Sequence, residues 1–252
     1  MSLVPALRVV PIGSVKRHEE VDPKRVSQIR TRISAERVQI NPVLCMEAAG
    51  RFVVLDGASR TEAVLGLGLS HIVIQVVDPA TVTLETWHHV LRDCSTEGII
   101  DGIAAAPGLQ ISDTDGAPRV TVKDGPSVSV LGADMSHNAT MSALVDSYIG
   151  RCETSRIIDP QVSTVTRRFP DWSVIVEFPR VEVADVVEAA LREDLLPAGV
   201  TRFLIPERVL RLHAPLSILE SGDQGELDRL IDERSVSGRV RRYEETVVIL
   251  DD

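Results

Sequence analysis

Phe52-Val53-Val54-Leu55-Asp56-Gly57-Ala58-Ser59-Arg60-Thr61-Glu62-Ala63-Val64-Leu65 is the stretch whose reading decides the fold. The valine-rich start predicts a short buried strand. Asp56-Gly57 breaks it with a dipeptide suited to a tight turn. Ala58, Glu62, Ala63, Leu65 and Leu67 then suit a helix, which Gly66 and Gly68 would end. A strand, an acidic turn and a helix start thus fall within a few residues. Such a junction aims unpaired backbone N–H groups and the positive helix end at one place, which suits a phosphate. Arg60 sits on the first helical turn, where a guanidinium can clamp phosphate oxygens. Asp56 ends the strand, where it could hold a metal ion or a ligand hydroxyl. Taken alone, Asp-Gly after a strand is usually only a turn, and an arginine there is usually solvated.

Working outward, Leu7 to Ile12 reads as a strand and His18-Glu19-Glu20 as a polar connection. Asp22-Pro23 opens a helix with an N-cap and a first-turn proline. Val26, Ile29, Ile33 and Val38 supply its apolar stripe. Val43 to Met46 and Phe52 to Leu55 form a hairpin, His71 to Val77 a strand, and Thr81 to Leu91 another strand around Trp87. These elements predict a mixed α/β domain over residues 1–92. Residues 93–252 predict a second α+β region. It has a helix at Ile99 to Ala105 and strands at Arg119 to Val122 and Ser127 to Leu131. A helix capped by Asn138, a strand from Trp172 and a helix from Val181 follow. The reading closes with a helix at Glu226 to Arg234 and a strand at Tyr243 to Leu250. The fold class is α+β.

The composition excludes several classes. With 252 residues, 44% hydrophobic and 25% charged, the chain is an ordinary globular one. Aromatics make up 3%, so the core must be built from small aliphatic side chains. Net charge is 27 − 37 = −10, which disfavours general nucleic-acid binding. Cys45, Cys94 and Cys152 form no zinc pattern, and their odd number suits a reducing compartment. No run is apolar enough to span a membrane, so the chain reads as cytoplasmic. There is no Gly-x-x-x-x-Gly-Lys-Ser/Thr loop, no Gly-x-Gly-x-x-Gly, no Gly-x-Ser-x-Gly and no His-Glu-x-x-His.

Other candidates lie outside the central turn. Glu19 and Glu20 precede a helix and usually would be solvated; folded over a substrate, one could take a hydroxyl proton. Trp87 reads as a core anchor or a ligand platform. Thr201-Arg202 adds a hydroxyl and a guanidinium before an apolar run. His88 and His89 are adjacent on a strand and cannot share one metal from there. The Arg239-Val240-Arg241-Arg242 cluster is the basic patch that a DNA-associated role would use.

About ninety N-terminal residues resemble the ParB/sulfiredoxin-like domain. The resemblance rests on His18-Glu19-Glu20, Asp22-Pro23, Asn41-Pro42-Val43, Val54 to Arg60 and Leu65-Gly66. It implies a nucleotide phosphate held at the Gly57-x-x-Arg60 turn. That turn lacks the cysteine a sulfiredoxin needs. The chain also lacks the Gly-Glu-Arg-Arg motif and helix-turn-helix of chromosome-partitioning ParB proteins, which disfavours a ParB-like CTP hydrolase. The order His18-Glu19, Asp56-Gly57-Ala58-Ser59-Arg60, Thr86-Trp87 and Thr201-Arg202-Phe203-Leu204-Ile205-Pro206 resembles the free L-serine kinases. Within that family it is closest in motif to the siderophore-pathway and archaeal ADP-dependent members. Phe203 stands where that family has histidine, and Asn41 where the archaeal members have lysine.

The resemblance implies a kinase that moves a phosphoryl group from ATP or ADP, with Mg²⁺, to free L-serine. Glu19 would be the base, with Glu20 as the other choice. Asp56 would position Mg²⁺ or the reacting groups. Gly57, Ala58, Ser59 and Arg60 would cradle phosphate. Trp87, Thr201 and Arg202 would frame the amino acid. Oligomeric state stays open, a homodimer included. The competing expectation is a nucleotide- or metabolite-sensing ParB-like regulator without kinase activity.

Overall fold

The computed structural model of the chain describes residues 6–113 and 118–241. Its first elements are β1 (Leu7–Pro11), β2 (Val15–Lys16), α1 (Pro23–Glu36), β3 (Val38–Gln39), β4 (Val43–Ala48), β5 (Arg51–Asp56), α2 (Ala58–Leu65) and β6 (His71–Val76). Next come β7 (Thr83–Thr86), β8 (His88–Arg92), α3 (Thr96–Ala105), β9 (Leu109–Ser112), β10 (Arg119–Val122), β11 (Ser127–Gly132) and α4 (His137–Tyr148). The remainder is β12 (Glu153–Ile157), α5 (Val162–Arg168), β13 (Trp172–Glu177), α6 (Val183–Arg192), β14 (Thr201–Leu204), β15 (Ala214–Pro215), α7 (Leu216–Ser221) and α8 (Gln224–Val236). The α+β class expected from the sequence is borne out. The strand expected over Tyr243 to Leu250 lies outside the described residues.

Two compact units divide the chain. The first draws on the described residues within Met1–Val15, Pro23–Thr81 and Ile205–Asp252; the second takes Lys16–Asp22 and Val82–Leu204. The sequence predicts one boundary, after residue 92. Strand pairing divides the chain earlier and twice. β7 pairs with β14, and β8 pairs with β12 and β13, so both belong with the later chain. After β14 the chain returns to the first unit, where β15 pairs with β3.

The first unit holds a sheet in the order β1-β6-β4-β5-β2. β4 and β6 run parallel at its centre, and β1 and β5 flank them antiparallel. Each central strand has four consecutive buried residues, which requires cover on both faces. α1 packs on α2, α7 on β6 and α8 on β1. The core is valine, isoleucine and alanine: Val43, Val53, Val54, Ala63, Val64, Ile72, Val73 and Ile74 are fully buried. Of the stripe expected on α1 and beyond, Ile33 is buried, while Val26, Ile29 and Val38 are half-buried. The β4–β5 hairpin turns on Ala49 and Gly50, both at positive φ (48° and 69°). That pairing suits the tight turns that match strand twist.

The second unit is built on a sheet in the order β12-β8-β13-β10-β11-β9, with α3 and α4 packed over β9 and α4 over β11. Two expectations need correction here. The strand read over Thr81 to Leu91 is two strands, broken at Trp87, because β7 and β8 serve different sheets. The cap of α4 is Ser136, whose Oγ accepts from the Ala139 N–H at 3.0 Å, and not Asn138. Asn138 instead donates its Nδ2 to the Asp194 carbonyl at 2.7 Å.

Candidate functional site

The expected site residues fall into two clusters, one in each unit. In the first unit, β5 ends at Asp56 and α2 begins at Ala58, with Gly57 between them at φ 110°. Only glycine holds that backbone without strain. A second constraint acts at the same position. A Cβ on Gly57 would lie 2.9 Å from Arg60 Nη1 and 3.2 Å from both Arg60 Cζ and Val43 Cγ2. The glycine therefore makes room for the Arg60 guanidinium. Gly57 brings no side-chain cap, so the first-turn N–H groups of α2, from Ala58, Ser59 and Arg60, keep the donor character of an open helix end.

Arg60 is mostly buried. Its Nη1 donates to the Pro42 carbonyl, and its Nη2 stands 3.7 Å from Asp56 Oδ2. Burial, and then the charge of Arg25, pull its pKa down to about 10. Asp56 Oδ2 is also ion-paired with Arg208, a residue to which the sequence assigns no role. Its only signal is a basic side chain two positions after Ile205-Pro206. The turn thus carries one carboxylate and two guanidiniums.

In the second unit, the segment with His18 and Glu19 lies beside Leu196. The Leu196 N–H donates to the His18 carbonyl at 2.9 Å, and the Glu20 N–H to the Leu196 carbonyl at 2.8 Å. Successive side chains of an extended segment point opposite ways. Accordingly Glu19 is half-buried and Glu20 exposed. Glu19 Oε2 accepts from the Gly199 N–H at 3.2 Å and from the Thr201 hydroxyl at 3.4 Å. His18, fully buried, places Nε2 2.9 Å from the same hydroxyl oxygen. A hydroxyl has one proton to give. With that proton directed to Glu19, Nε2 of His18 must be the donor to Thr201, which sets the histidine tautomer.

Thr201 sits opposite Thr86, and Arg202 opposite Glu85, across β14 and β7. Arg202 Nη1 donates to Glu85 Oε2 at 3.1 Å, and its Cζ lies 4.7 Å from the centre of the Trp87 ring. Trp87 is half-buried, so it is not a core anchor. It forms a platform whose face carries a cation, an arrangement worth about 0.5–2 kcal/mol. Phe203 meets the His18 ring edge-on at 5.6 Å. It fills the flank of the buried histidine with an apolar ring. Asn41 holds backbone in place: its Oδ1 accepts from the Arg211 N–H at 2.7 Å. On β8, His89 Nδ1 lies 2.7 Å from the Tyr148 hydroxyl, both buried.

No family model matches the chain. The chain is 24% identical over 224 residues to the ATP-dependent L-serine kinase SbnI of Staphylococcus aureus, covering 87% of this chain and 86% of that protein. Its structure is similar to that of C-terminally truncated SbnI from the same organism (TM-score 0.71, 22% identity, 93% of this chain and 97% of that one). It is likewise similar to a free serine kinase in complex with AMP (TM-score 0.74, 14% identity, 86% and 94%). This is the fold of the free serine kinases. The resemblance read from the ordered motifs is borne out over most of the chain, beyond its first ninety residues. Among the described residues no helix is long and apolar enough to cross a membrane.

Proposed function

We propose that the chain is a nucleotide-dependent kinase that phosphorylates free L-serine to O-phospho-L-serine. The observation that carries the reading is the Glu19 carboxylate, oriented by a backbone N–H and by a hydroxyl that a buried histidine holds in place. A carboxylate fixed in this way suits a general base better than the exposed Glu20. In the proposed step the serine hydroxyl oxygen attacks the terminal phosphorus of ATP or ADP. Glu19 takes the hydroxyl proton, and ADP or AMP leaves. Such chemistry rests mainly on positioning and charge stabilisation. The N–H groups of Gly57, Ala58 and Ser59, with Arg60, would hold nucleotide phosphates. Trp87, Thr201 and Arg202 would frame the amino acid. The similarity to SbnI supports serine as the acceptor.

Among the described residues, no group of three or more His, Cys, Asp or Glu could hold a resident metal. Mg²⁺ characteristically binds through one or two carboxylates and substrate phosphates. The one carboxylate at the turn, Asp56, is paired at Oδ2 with Arg208, so Mg²⁺ would be held there only together with the nucleotide phosphates whose charge it would neutralise. The proposed cytoplasmic location suits three cysteines that stay free thiols.

Phe203, in place of the family histidine, favours a regulator without kinase activity, as does the basic cluster Arg239-Val240-Arg241-Arg242. One experiment separates the readings. The purified full chain is incubated with Mg²⁺, L-serine and ATP, ADP or CTP in turn, and phosphoserine is followed by mass spectrometry. The kinase reading expects phosphoserine with ATP or ADP. Nucleotide binding without phosphoserine in any arm would establish the regulator instead.

A further inference from the structure

The run between β14 and β15 is held to the first unit from two sides. Gln75, on β6 and only 2% exposed, grips it at two neighbouring peptides. Its Nε2 donates to the Glu207 carbonyl at 3.0 Å, and its Oε1 accepts from the Val209 N–H at 2.9 Å. Asn41 adds the bond to the Arg211 N–H at 2.7 Å. Three non-glycine residues of the run, Glu207, Arg211 and His213, have positive φ (56°, 55° and 44°). Backbone in that region persists where the surroundings over-determine it. The buried glutamine thus brackets one residue, Arg208, whose guanidinium meets Asp56 Oδ2.

A surface ion pair by itself adds little stability and would not call for a pinned, strained run. The charges at the turn suggest another use. Arg60 is turned inward to the Pro42 carbonyl and is 21% exposed at its side chain, whereas Arg208 is 38% exposed. A guanidinium has five N–H donors, and one carboxylate oxygen cannot satisfy them all. With Asp56 at −1 and Arg60 and Arg208 at +1 each, the turn carries a net +1.

We propose that Arg208 is a phosphate-binding residue of the nucleotide site, with Asp56 as the counter-ion that orients its guanidinium. The proposal rests on the nucleotide reading given above. It gives Asp56 a positioning role through an arginine, and it makes the pinned run part of the site.

The test uses the full chain in calorimetric titrations with ADP, ATP and adenosine. Wild type is compared with Arg208→Gln and Arg208→Lys. Loss of a charge-assisted phosphate contact should weaken ADP and ATP on the order of 10–100-fold in Arg208→Gln. Arg208→Lys should fall between, and adenosine affinity should stay unchanged. ADP affinity within about twofold of wild type, or an equal loss for adenosine, overturns the proposal. A wild type that binds none of these ligands removes the nucleotide reading itself, and this inference with it. A second measurement needs no variant: an arginine-selective dicarbonyl reagent is applied to wild type, and modification at Arg208 is mapped by mass spectrometry. ADP should protect Arg208 and adenosine should not; equal modification with and without ADP overturns the assignment.

Discussion

Gly57 offers a sharp test of how Arg60 is seated against the turn, because the chain supplies its own control. Gly50 and Gly57 flank the same strand, and both have positive φ, 69° and 110°. Nothing lies within 4 Å of a Cβ built on Gly50. Gly50→Ala therefore suffers only backbone strain, about 1–2 kcal/mol for an L-residue in the left-handed region. A smaller unfolded-state entropy gain of about 0.4–1 kcal/mol offsets part of that. The net cost should be about 1 kcal/mol. Gly57→Ala has at least the same strain at a less tolerant φ, about 1–3 kcal/mol. Its Cβ also meets the Arg60 guanidinium at 2.9 Å and Val43 at 3.2 Å. Either the core yields, at about 1–3 kcal/mol, or Arg60 leaves the Pro42 carbonyl and strands a polar partner, at a similar cost. Gly57→Ala should thus exceed Gly50→Ala by about 2 kcal/mol or more. Urea unfolding of wild type and both variants at pH 7 reads the difference as a shift in midpoint at unchanged slope. Equal costs within about 0.5 kcal/mol would mean that the guanidinium is not seated against the turn, and the reasoning about Arg60 would fall.

Glu19→Gln should lower phosphoserine turnover on the order of 10²–10⁴-fold with little change in nucleotide affinity. Glu20→Gln should stay near wild type, since that side chain is exposed; the reverse pattern in steady-state assays would shift the base by one residue. Thr201→Val removes one hydrogen-bond partner of buried His18 and one donor to Glu19. It should cost about 1–3 kcal/mol in urea unfolding, together with a fall in turnover, and a loss of neither would break the relay. Burial, and then the charge of Arg156, lower the His89 pKa from 6.5 to about 4. A histidine depressed in this way binds more protons when unfolded, so its contribution is present at pH 7 and is lost as pH falls through that window. His89 by itself should make stability at pH 5 about 2 kcal/mol lower than at pH 7, and His88, which burial also lowers to about 4, adds to the fall. His89→Gln should flatten that slope, and an unchanged slope in the variant would assign the loss to other groups.

Residues 52–65 made the strand–turn–helix junction legible because everything it needs is local. A valine run, an Asp-Gly break and a helix-forming segment each carry their own propensity, and β5, Gly57 and α2 follow in that order. The β4–β5 hairpin was legible for the same reason. Elements without a local signal were missed. β12, Glu-Thr-Ser-Arg-Ile, does not alternate, and α5 is rich in β-branched residues. α7 spans six residues, too few for a helical period to declare itself. The break at Trp87 has no local signal, since neither glycine nor proline marks it; only the pairing of β7 with β14, and of β8 with β12 and β13, separates the two strands.

The same division holds for the candidate site. Residue type marked Glu19 and Glu20, Asp56, Gly57, Arg60, Trp87, Thr201 and Arg202 only as candidates, and the resemblance to the free serine kinases supplied the roles proposed for them. Which of two adjacent glutamates turns inward was decided by the bridge to Leu196, residues far apart in the chain. That Thr201 links His18 to Glu19, and that Arg202 lies over Trp87, came from strand register. Arg208 was invisible in the sequence because nothing beside it marks it. Its place is set by Gln75, across 134 positions of chain, and a long-range hydrogen bond leaves no local pattern to read. Local propensity is written in neighbouring residues and can be read from them. Pairing between distant segments is a property of the packed chain, and only the tertiary structure decides which side chains meet.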